Sequence, residues 1–128
     1  VGTERILFVD DEESISSICT ELLESQGYKV TCMTSSVKAL ATFKEDPEKF
    51  DLVFTDQTMP EMTGTELATR LLKIRPDIPI ILCSGFSATT SERSAKTIGI
   101  REFCMKPMTM SQLSFVARKV LDEDRKRS

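Results

Sequence analysis

The sequence contains no histidine and no tryptophan among its 128 residues. Without histidine the chain cannot form a Ser-His-Asp or Cys-His catalytic group, a histidine-ligated metal site or a phosphohistidine of its own. No apolar run approaches the roughly 18 residues of a membrane-spanning helix, and no secretory segment opens the chain. Any chemistry must therefore use carboxylates, hydroxyls, lysine, cysteine or the backbone.

The chain also lacks a large excess of either charge, since 17 basic and 20 acidic residues give a formal net charge of −3. This balance argues against nucleic acid as the main partner. The four cysteines contain no C-x-x-C pair, and we expect them to be reduced, buried, small apolar residues: Cys19, Cys32, Cys83 and Cys104. The composition predicts one globular domain in the cytoplasm, either a stand-alone protein or a piece of a longer one.

Short apolar runs alternate with helical patterns along the chain. The predicted strands are residues 6–9, 28–33, 52–54, 78–83 and 103–105. Apolar residues at i, i+3, i+4 and i+7 predict helices between and after them, with these stripes: Ile15, Ile18, Cys19, Leu22 and Leu23; Val37, Leu40, Ala41 and Phe43; Leu67, Leu71 and Ile74; Leu113, Val116, Ala117 and Val120. The repeated β-α order predicts an α/β domain with a doubly wound five-stranded parallel sheet and helices on both faces.

Helix starts agree with this layout. Three capping boxes precede predicted helices: Thr63-x-x-Glu66, Thr89-x-x-Glu92 and Thr109-x-x-Gln112. The fourth predicted helix, residues 87–96, has almost no apolar stripe and is expected to be short or mobile. We expect residues 1–128 to form a single domain with a core from about residue 4 to 121 and a frayed, charged end at 122–128.

Polar residues follow four predicted strands at the point where each strand ends: Asp10 and Asp11, Asp56, Ser84, and Lys106. Ligands of open α/β sheets bind at the carboxyl ends of the strands. Clustered carboxylates repel one another unless a cation joins them. Mg²⁺ suits such a cluster because it prefers oxygen and leaves positions for a phosphate. The set predicts a phosphoryl site with a carboxylate nucleophile, an ammonium and a hydroxyl.

Each of these residues also has a purely structural interpretation. Asp10 and Asp11 are compatible with capping the first helix, where acidic residues favour the helix dipole. Asp56 and Ser84 are compatible with ordinary turn residues, and Lys106 with a solvated lysine. Only their joint placement at successive strand ends favours the phosphoryl site.

The chain resembles the receiver domains of bacterial two-component response regulators over nearly its full length. The stretches that carry the resemblance are Val-Asp-Asp-Glu at 9–12, Asp-Leu-Val-Phe-Thr-Asp at 51–56, Met-Pro-Glu-Met-Thr-Gly at 59–64, residues 79–85, and Lys-Pro at 106–107. The resemblance implies a flavodoxin-like sheet with strand order 2-1-3-4-5.

The same resemblance implies roles for the polar residues. Asp56 would accept a phosphoryl group from the phosphohistidine of a sensor histidine kinase or a histidine phosphotransfer domain. Asp11, Asp56 and the backbone carbonyl of Thr58 would bind Mg²⁺, for which Mn²⁺ can substitute. Asp10 would act through a bound water. The domain would be no enzyme in the usual sense, since it performs only self-phosphotransfer and autodephosphorylation.

A switch is implied as well. Lys106 and Ser84 would contact phosphoryl oxygens, and Phe103 would change rotamer as Ser84 moves. This would alter the surface of the fourth helix, fifth strand and fifth helix, where a downstream protein binds. Residues 61–64 and 80–87 most resemble receivers of hybrid sensor kinases, so the domain could be the cytoplasmic part of a membrane-bound kinase, with no direct contact to membrane or nucleic acid.

Two other classes of protein remain open at this point. One is a receiver-like interaction module with a silent site, against which the intact set of polar residues argues. The other is a different α/β protein, either a flavodoxin-like carrier or an aspartate-nucleophile phosphatase. The acidic run at 10–13 would repel a flavin phosphate, and the phosphatase pattern requires two aspartates separated by one residue, whereas Asp10 and Asp11 are adjacent.

Overall fold

A computed structural model describes residues 3–84, 96–105 and 109–127, with side chains to residue 123. Its strands are β1 (Arg5–Val9), β2 (Lys29–Met33), β3 (Leu52–Asp56), β4 (Ile80–Ser84) and β5 (Glu102–Met105). Its helices are α1 (Glu13–Ser25), α2 (Ser36–Glu45), α3 (Gly64–Ile74) and a C-terminal helix (Met110–Arg127). The predicted fourth helix falls almost entirely outside the described residues, as do the capping box at Thr89 and the Lys-Pro pair at 106–107.

All neighbouring strands are parallel, and their order is β2-β1-β3-β4-β5. This confirms the predicted doubly wound sheet. β1 and β3 are direct neighbours, with Phe8 opposite Phe54 and Val9 opposite Thr55. The winding reverses at β1, so the carboxyl ends of β1 and β3 border the crevice where such sheets bind ligands.

The core has two parts, one on each face of the sheet. One face packs against α2 and α3 through residues such as Phe43, Leu67 and Leu71. The other face packs against α1 and the C-terminal helix, and there the rings of Phe8 and Phe54 lie 5.5 Å apart between centroids. Alternate residues of each strand enter opposite clusters, as expected for strands buried on both faces. The predicted placement of helices on both faces is confirmed.

Two predicted capping boxes lie in the described part of the chain and both mark helix starts. Thr109 Oγ1 accepts a hydrogen bond from the Gln112 N–H at 3.1 Å, while Gln112 Oε1 accepts one from the Thr109 N–H at 2.9 Å. Thr63 Oγ1 accepts from the Glu66 N–H at 3.3 Å and also contacts the Glu66 carboxylate at 3.2 Å. The side chains therefore satisfy helix N–H groups that have no partner within the helix.

The C-terminal helix continues to Arg127, beyond the predicted core boundary at residue 121. The apolar stripe ends at Leu121, but a helix does not need an apolar stripe to continue. Arg118 and Asp122, one turn apart, form an ion pair at 2.9 Å across the predicted boundary. Such a pair favours the helix by a few tenths of a kcal/mol, about 0.3–0.5.

Several positions predicted to be buried are exposed, among them Ala41 of α2 and Met105 of β5. Ile18 is 50% exposed although it belongs to the predicted stripe of α1, because Ser16 and Leu23 form the inward row instead. Val37 is exposed on α2. Cys32 is exposed on β2, which lies at the edge of the sheet beside β1. Cys83 is buried, and all four cysteines are reduced, as predicted. Within the described residues no helix has the length and apolar character to cross a membrane.

Candidate functional site

An acidic cluster lies at the carboxyl edge of the sheet. Asp10, Asp11 and Asp56 each bring one carboxylate oxygen within 4.8 Å of the others. Asp10 is only 2% exposed and Asp56 only 6%, whereas Asp11 is exposed. The structure therefore brings together the three carboxylates that the sequence places at two separate strand ends.

The sheet topology positions this cluster. Asp56 is the last residue of β3, and Asp10 follows β1 directly. The pairing of Val9 with Thr55 on these adjacent strands puts the next residue of each strand at the same level. The Asp10 N–H also donates to the carbonyl of Met33 at 3.1 Å, which extends the pairing of β1 with β2 by one residue.

Asp10 is held by its own chain neighbours. Its Oδ1 accepts a hydrogen bond from the Glu12 N–H at 3.0 Å, and its carbonyl accepts one from Ser16 Oγ at 3.0 Å. The first contact resembles the capping role that the sequence leaves open for Asp10, although α1 starts after Glu12, whose side chain makes no capping bond. Asp10 can therefore both cap the backbone near α1 and take part in the acidic cluster. Its Oδ1 accepts from the Glu12 N–H, and its carboxylate lies close to those of Asp11 and Asp56.

The β3–α3 loop (residues 57–63) runs directly from the cluster. Its first residue, Gln57, is buried, and its N–H donates to the Cys83 carbonyl at 2.8 Å. Its side-chain Oε1 accepts from the Thr65 N–H at 2.9 Å, and its carbonyl accepts from the Gly64 N–H at 3.0 Å. Sequence reasoning missed Gln57, because a single glutamine after a strand carries no motif. Thr58, the next residue, is exposed.

Gly64 allows α3 to start against the end of β3. A Cβ atom at this position would overlap the backbone carbonyl of Asp56 and would lie 2.7 Å from Leu82 Cδ1. Only glycine permits this approach without displacing backbone. The two ends of the β3–α3 loop are therefore in contact beside Asp56.

The remaining predicted site residues lie on β4 and β5. Ser84 is the last residue of β4 and is buried. Phe103 on β5 pairs with Leu82 and is half-buried, packed against the core on the α2–α3 face. Lys106 follows β5 but lies outside the described residues. The topology thus places Ser84 at the same edge of the sheet as the acidic cluster, one strand away from Asp56.

An apolar cavity of about 440 Å³ adjoins the cluster between α1 and the C-terminal helix. Asp10 and Asp56 line one part of it, and Ile18 and Met110 line another. Both apolar side chains are 50% exposed. The cavity therefore places exposed apolar side chains and the carboxylates of Asp10 and Asp56 around one opening.

A family comparison decides which kind of α/β protein this is. The family model of the response regulator receiver domain matches residues 6–118. The chain belongs to the response regulator receiver family. This confirms the resemblance given by the sequence and excludes the flavodoxin-like carrier and the phosphatase. Receiver domains act in two-component signalling, and their partners are sensor histidine kinases.

Individual relatives show receivers in two contexts. The chain is 32% identical to the sensor kinase CckA of Brucella abortus, covering 95% of this chain and 13% of the kinase. It is also 32% identical to the response regulator receiver protein CpdR of the same organism, covering 92% of this chain and 97% of CpdR. It therefore spans a small part of the first relative and nearly all of the second.

Solved receiver structures have the same fold. The crystal structure of a response regulator receiver domain protein from Clostridium thermocellum superposes with a TM-score of 0.91 at 29% identity, covering 98% of this chain and 99% of the other. The agreement extends across the whole sheet and both helical layers, since so little of either chain is left unmatched.

Proposed function

We propose that this receiver domain accepts a phosphoryl group on Asp56 from the phosphohistidine of a sensor histidine kinase or a histidine phosphotransfer domain. The observation that carries the proposal is the convergence of three carboxylate oxygens within 4.8 Å at the crevice of the sheet. A cluster with only structural duties would have no reason to gather like charges, because their repulsion opposes folding.

Mg²⁺ fits this donor set, since it is a hard cation that binds one or two carboxylates and keeps several waters. We assign Asp11, Asp56 and the backbone carbonyl of Thr58 as its protein ligands, with Asp10 acting through a water, and expect Mn²⁺ to substitute. When bound, Mg²⁺ supplies positive charge that offsets the carboxylates and the incoming phosphoryl group.

Asp56 acts as the nucleophile. One of its carboxylate oxygens forms the new O–P bond as the N–P bond of the donor phosphohistidine breaks, and the imidazole leaves with a proton. Asp56 is well placed for this, because it is held at the end of a buried strand while its carboxylate borders the cavity. Lys106 and Ser84 then bind phosphoryl oxygens, the lysine by its charge and the serine by its hydroxyl.

The donor protein docks beside the cavity between α1 and the C-terminal helix. Ile18 and Met110 offer apolar contact there, and they are among the few large apolar side chains of the described residues that are half exposed. A helix that carries the phosphohistidine can pack on them while its imidazole reaches Asp56, which lines the same cavity.

The output surface lies on the opposite side of the C-terminal helix, where it meets β5. Met105 is 51% exposed and Phe115 is 70% exposed. Lys119 of this helix donates to Glu102 of β5 at 3.1 Å, so the two elements form one connected surface. Phe103, on the same strand, lacks a hydroxyl and would report the state of Ser84 through packing alone. A downstream protein would bind this surface together with the fourth predicted helix.

The proposed context is cytoplasmic, either in a hybrid sensor kinase or in a stand-alone response regulator. Similarity to CckA supports the first context and similarity to CpdR supports the second. In both, the domain modifies only itself, by phosphotransfer onto Asp56 and autodephosphorylation. We propose no direct contact with nucleic acid or membrane, consistent with the net charge of −3.

The test is the intact mass of the protein after incubation with acetyl phosphate, with and without Mg²⁺. We expect a Mg²⁺-dependent gain of one phosphoryl group that is absent in Asp56→Asn. The matched control is Asp46→Asn, which removes an exposed aspartate that lies outside the acidic cluster. Mass is the suitable readout because the chain has no tryptophan to report binding by fluorescence.

Some receivers do not react with small donors, so a negative result is followed by a phosphorylated histidine kinase and by a beryllofluoride titration. Failure of all three would reject the phosphoacceptor and favour the alternative, a receiver-like interaction module that is never phosphorylated.

A further inference from the structure

The seven residues of the β3–α3 loop connect Asp56, at the end of β3, with Gly64, at the start of α3. Gln57, the first residue of the loop, forms hydrogen bonds with β4 and with the first turn of α3. The backbone N–H of Gln57 donates to Cys83 of β4 at 2.8 Å, and its carbonyl accepts from the Gly64 N–H at 3.0 Å. Its carboxamide accepts from the Thr65 N–H at 2.9 Å and approaches Thr65 Oγ1 from Nε2 at 3.4 Å.

These hydrogen bonds join the two ends of the β3–α3 loop to each other. The start of the loop is joined to the first turn of α3 by one backbone bond and by the side chain of Gln57, and the same residue is joined to β4. Gln57 is buried and its bond with the Thr65 N–H is partly buried, so losing the side chain would leave this N–H without its acceptor in a partly shielded site. A shielded donor that loses its acceptor destabilises the conformation that holds it there, so the loop gains a definite geometry from this one carboxamide.

We infer that Gln57 is a positioning residue, whose carboxamide holds the backbone of the β3–α3 loop and thereby sets the place of the Thr58 carbonyl beside Asp56. The role of the Thr58 carbonyl as a Mg²⁺ ligand rests on the proposed function, whereas the hold of Gln57 on the loop does not. Groups that orient metal ligands without touching the metal typically change its affinity about 10–100-fold when removed.

A simpler role would be helix capping alone. α3 already has a capping residue, Thr63, whose Oγ1 accepts from the Glu66 N–H at 3.3 Å. If Gln57 merely adds a second cap, its removal should act like removal of Thr63. If it positions the loop, its removal should affect residues at the start of the loop, next to Asp56. Among the described residues, the side-chain contacts of Thr63 go instead to α3, to Thr65 Oγ1 at 3.2 Å and to Glu66.

The test compares Gln57→Met, which keeps the length of the side chain but no acceptor for the Thr65 N–H, with Gln57→Glu, which keeps the acceptor oxygen. Thr63→Ala is the control for loss of a cap on the same helix. Two properties are measured on the whole chain by NMR: amide hydrogen exchange of residues 58–66 without metal, and Mg²⁺ affinity from amide shifts. Urea unfolding is measured in parallel.

We expect Gln57→Met to raise exchange at Thr65 and through the loop and to weaken Mg²⁺ binding about tenfold. Gln57→Glu should retain the exchange protection, and its added negative charge beside the acidic cluster should leave Mg²⁺ binding at least as tight as in wild type. Thr63→Ala should lower the urea midpoint of unfolding, with a change in Mg²⁺ affinity of no more than about twofold. If Gln57→Met does not fold, Gln57→Asn, which is one methylene too short to reach Thr65, replaces it.

Equal effects of Gln57→Met and Thr63→Ala on exchange and affinity would overturn the inference, and so would unchanged exchange in Gln57→Met. Absence of Mg²⁺ binding in the wild type is a different result. It would reject the metal site of the proposed function and the Thr58 part of the inference, while the exchange data would still decide whether Gln57 holds the loop.

Discussion

The guanidinium of Arg118, in the C-terminal helix, donates two hydrogen bonds to the carboxylate of Glu4, near the N-terminus. Arg118 Nη2 lies 2.7 Å from Glu4 Oε2 and Nη1 lies 3.3 Å from Oε1. Arg118 Nη1 also donates to the Tyr28 hydroxyl at 3.2 Å, and Arg118 Nε donates to Asp122 at 3.0 Å. The C-terminal helix is thus fastened to the segment that precedes β1.

This contact predicts a pH-dependent stability. Hydrogen bonding from Arg118 holds the pKa of Glu4 below its ordinary value of 4.5. A depressed pKa means that the stabilisation is fully present above pH 4.5 and is lost as the pH falls through the lower, folded-state pKa. Glu4→Gln should therefore lower the free energy of unfolding by about 1–2 kcal/mol at pH 7, and the difference from wild type should shrink below pH 4.5.

Urea unfolding at several pH values checks this prediction. Glu24→Gln is the control, because Glu24 is an exposed residue of α1 outside the ion pairs found among the described residues. A Glu4→Gln deficit that stays constant from pH 7 to pH 3 would contradict the assignment of the pH dependence to the Glu4 carboxylate.

Gly64→Ala tests the close approach of α3 to β3. The added methyl group would overlap the Asp56 carbonyl and approach Leu82 Cδ1 to 2.7 Å. Overpacking of this kind costs about 1–3 kcal/mol, and it should also weaken divalent-cation binding because the end of β3 must shift. Arg70→Ala, an exposed substitution on the same helix, is the control. Unfolding and Mg²⁺ titrations that match wild type would show that the loop accommodates a Cβ atom.

Sequence patterns predict the fold well where burial is strong. The strands are buried on both faces, so their apolar runs stand out, and the order of strands and helices follows from them. Helix faces are predicted less well, because a stripe of apolar residues does not reveal how the helix is rotated. Ser16 faces inward since its hydroxyl finds the Asp10 carbonyl, and Ile18 consequently turns to solvent.

The acidic cluster is predictable for a related reason. Parallel strands that end in aspartates must bring them to one edge of the sheet, and neighbouring strands bring them together. Gln57 is not predictable in this way, because its role depends on the distance from its carboxamide to a helix N–H eight residues later. The roles of Lys106 and of the switch residues Ser84 and Phe103 stay predictions from the family resemblance.

Asp11→Asn tests the electrostatics of the cluster. In metal-free buffer, removing one of three neighbouring carboxylates should raise the free energy of unfolding by about 0.5–1 kcal/mol through reduced repulsion. In excess Mg²⁺ the order should reverse, since wild type gains stability from the bound cation and the variant lacks a proposed ligand. Glu21→Gln, on the exposed side of α1, should show neither effect. A variant that gains as much from Mg²⁺ as wild type would remove Asp11 from the ligand set.

Leu113 and Phe115 of the C-terminal helix should differ in their contribution to stability, because Leu113 is buried and Phe115 is exposed. Leu113→Ala should cost about 2–5 kcal/mol because Leu113 is buried between the helix and the sheet. Phe115→Ala should change stability by no more than about 0.5 kcal/mol because that ring is 70% exposed. Thermal unfolding compares the two variants. A large loss in Phe115→Ala would mean that the ring supports the fold instead of forming part of an output surface.

The adjacency of β1 and β3 has a consequence for how the molecule assembles. Asp10 and Asp11 belong to the first β-α unit, whereas Asp56 is reached only after two such units have been completed. No fragment that stops before β3 contains the whole cluster, so cation affinity arises in the same folding event that joins the central strands. During refolding, the onset of Mg²⁺ binding would time the docking of the two central strands, while the formation of helices is followed separately by circular dichroism.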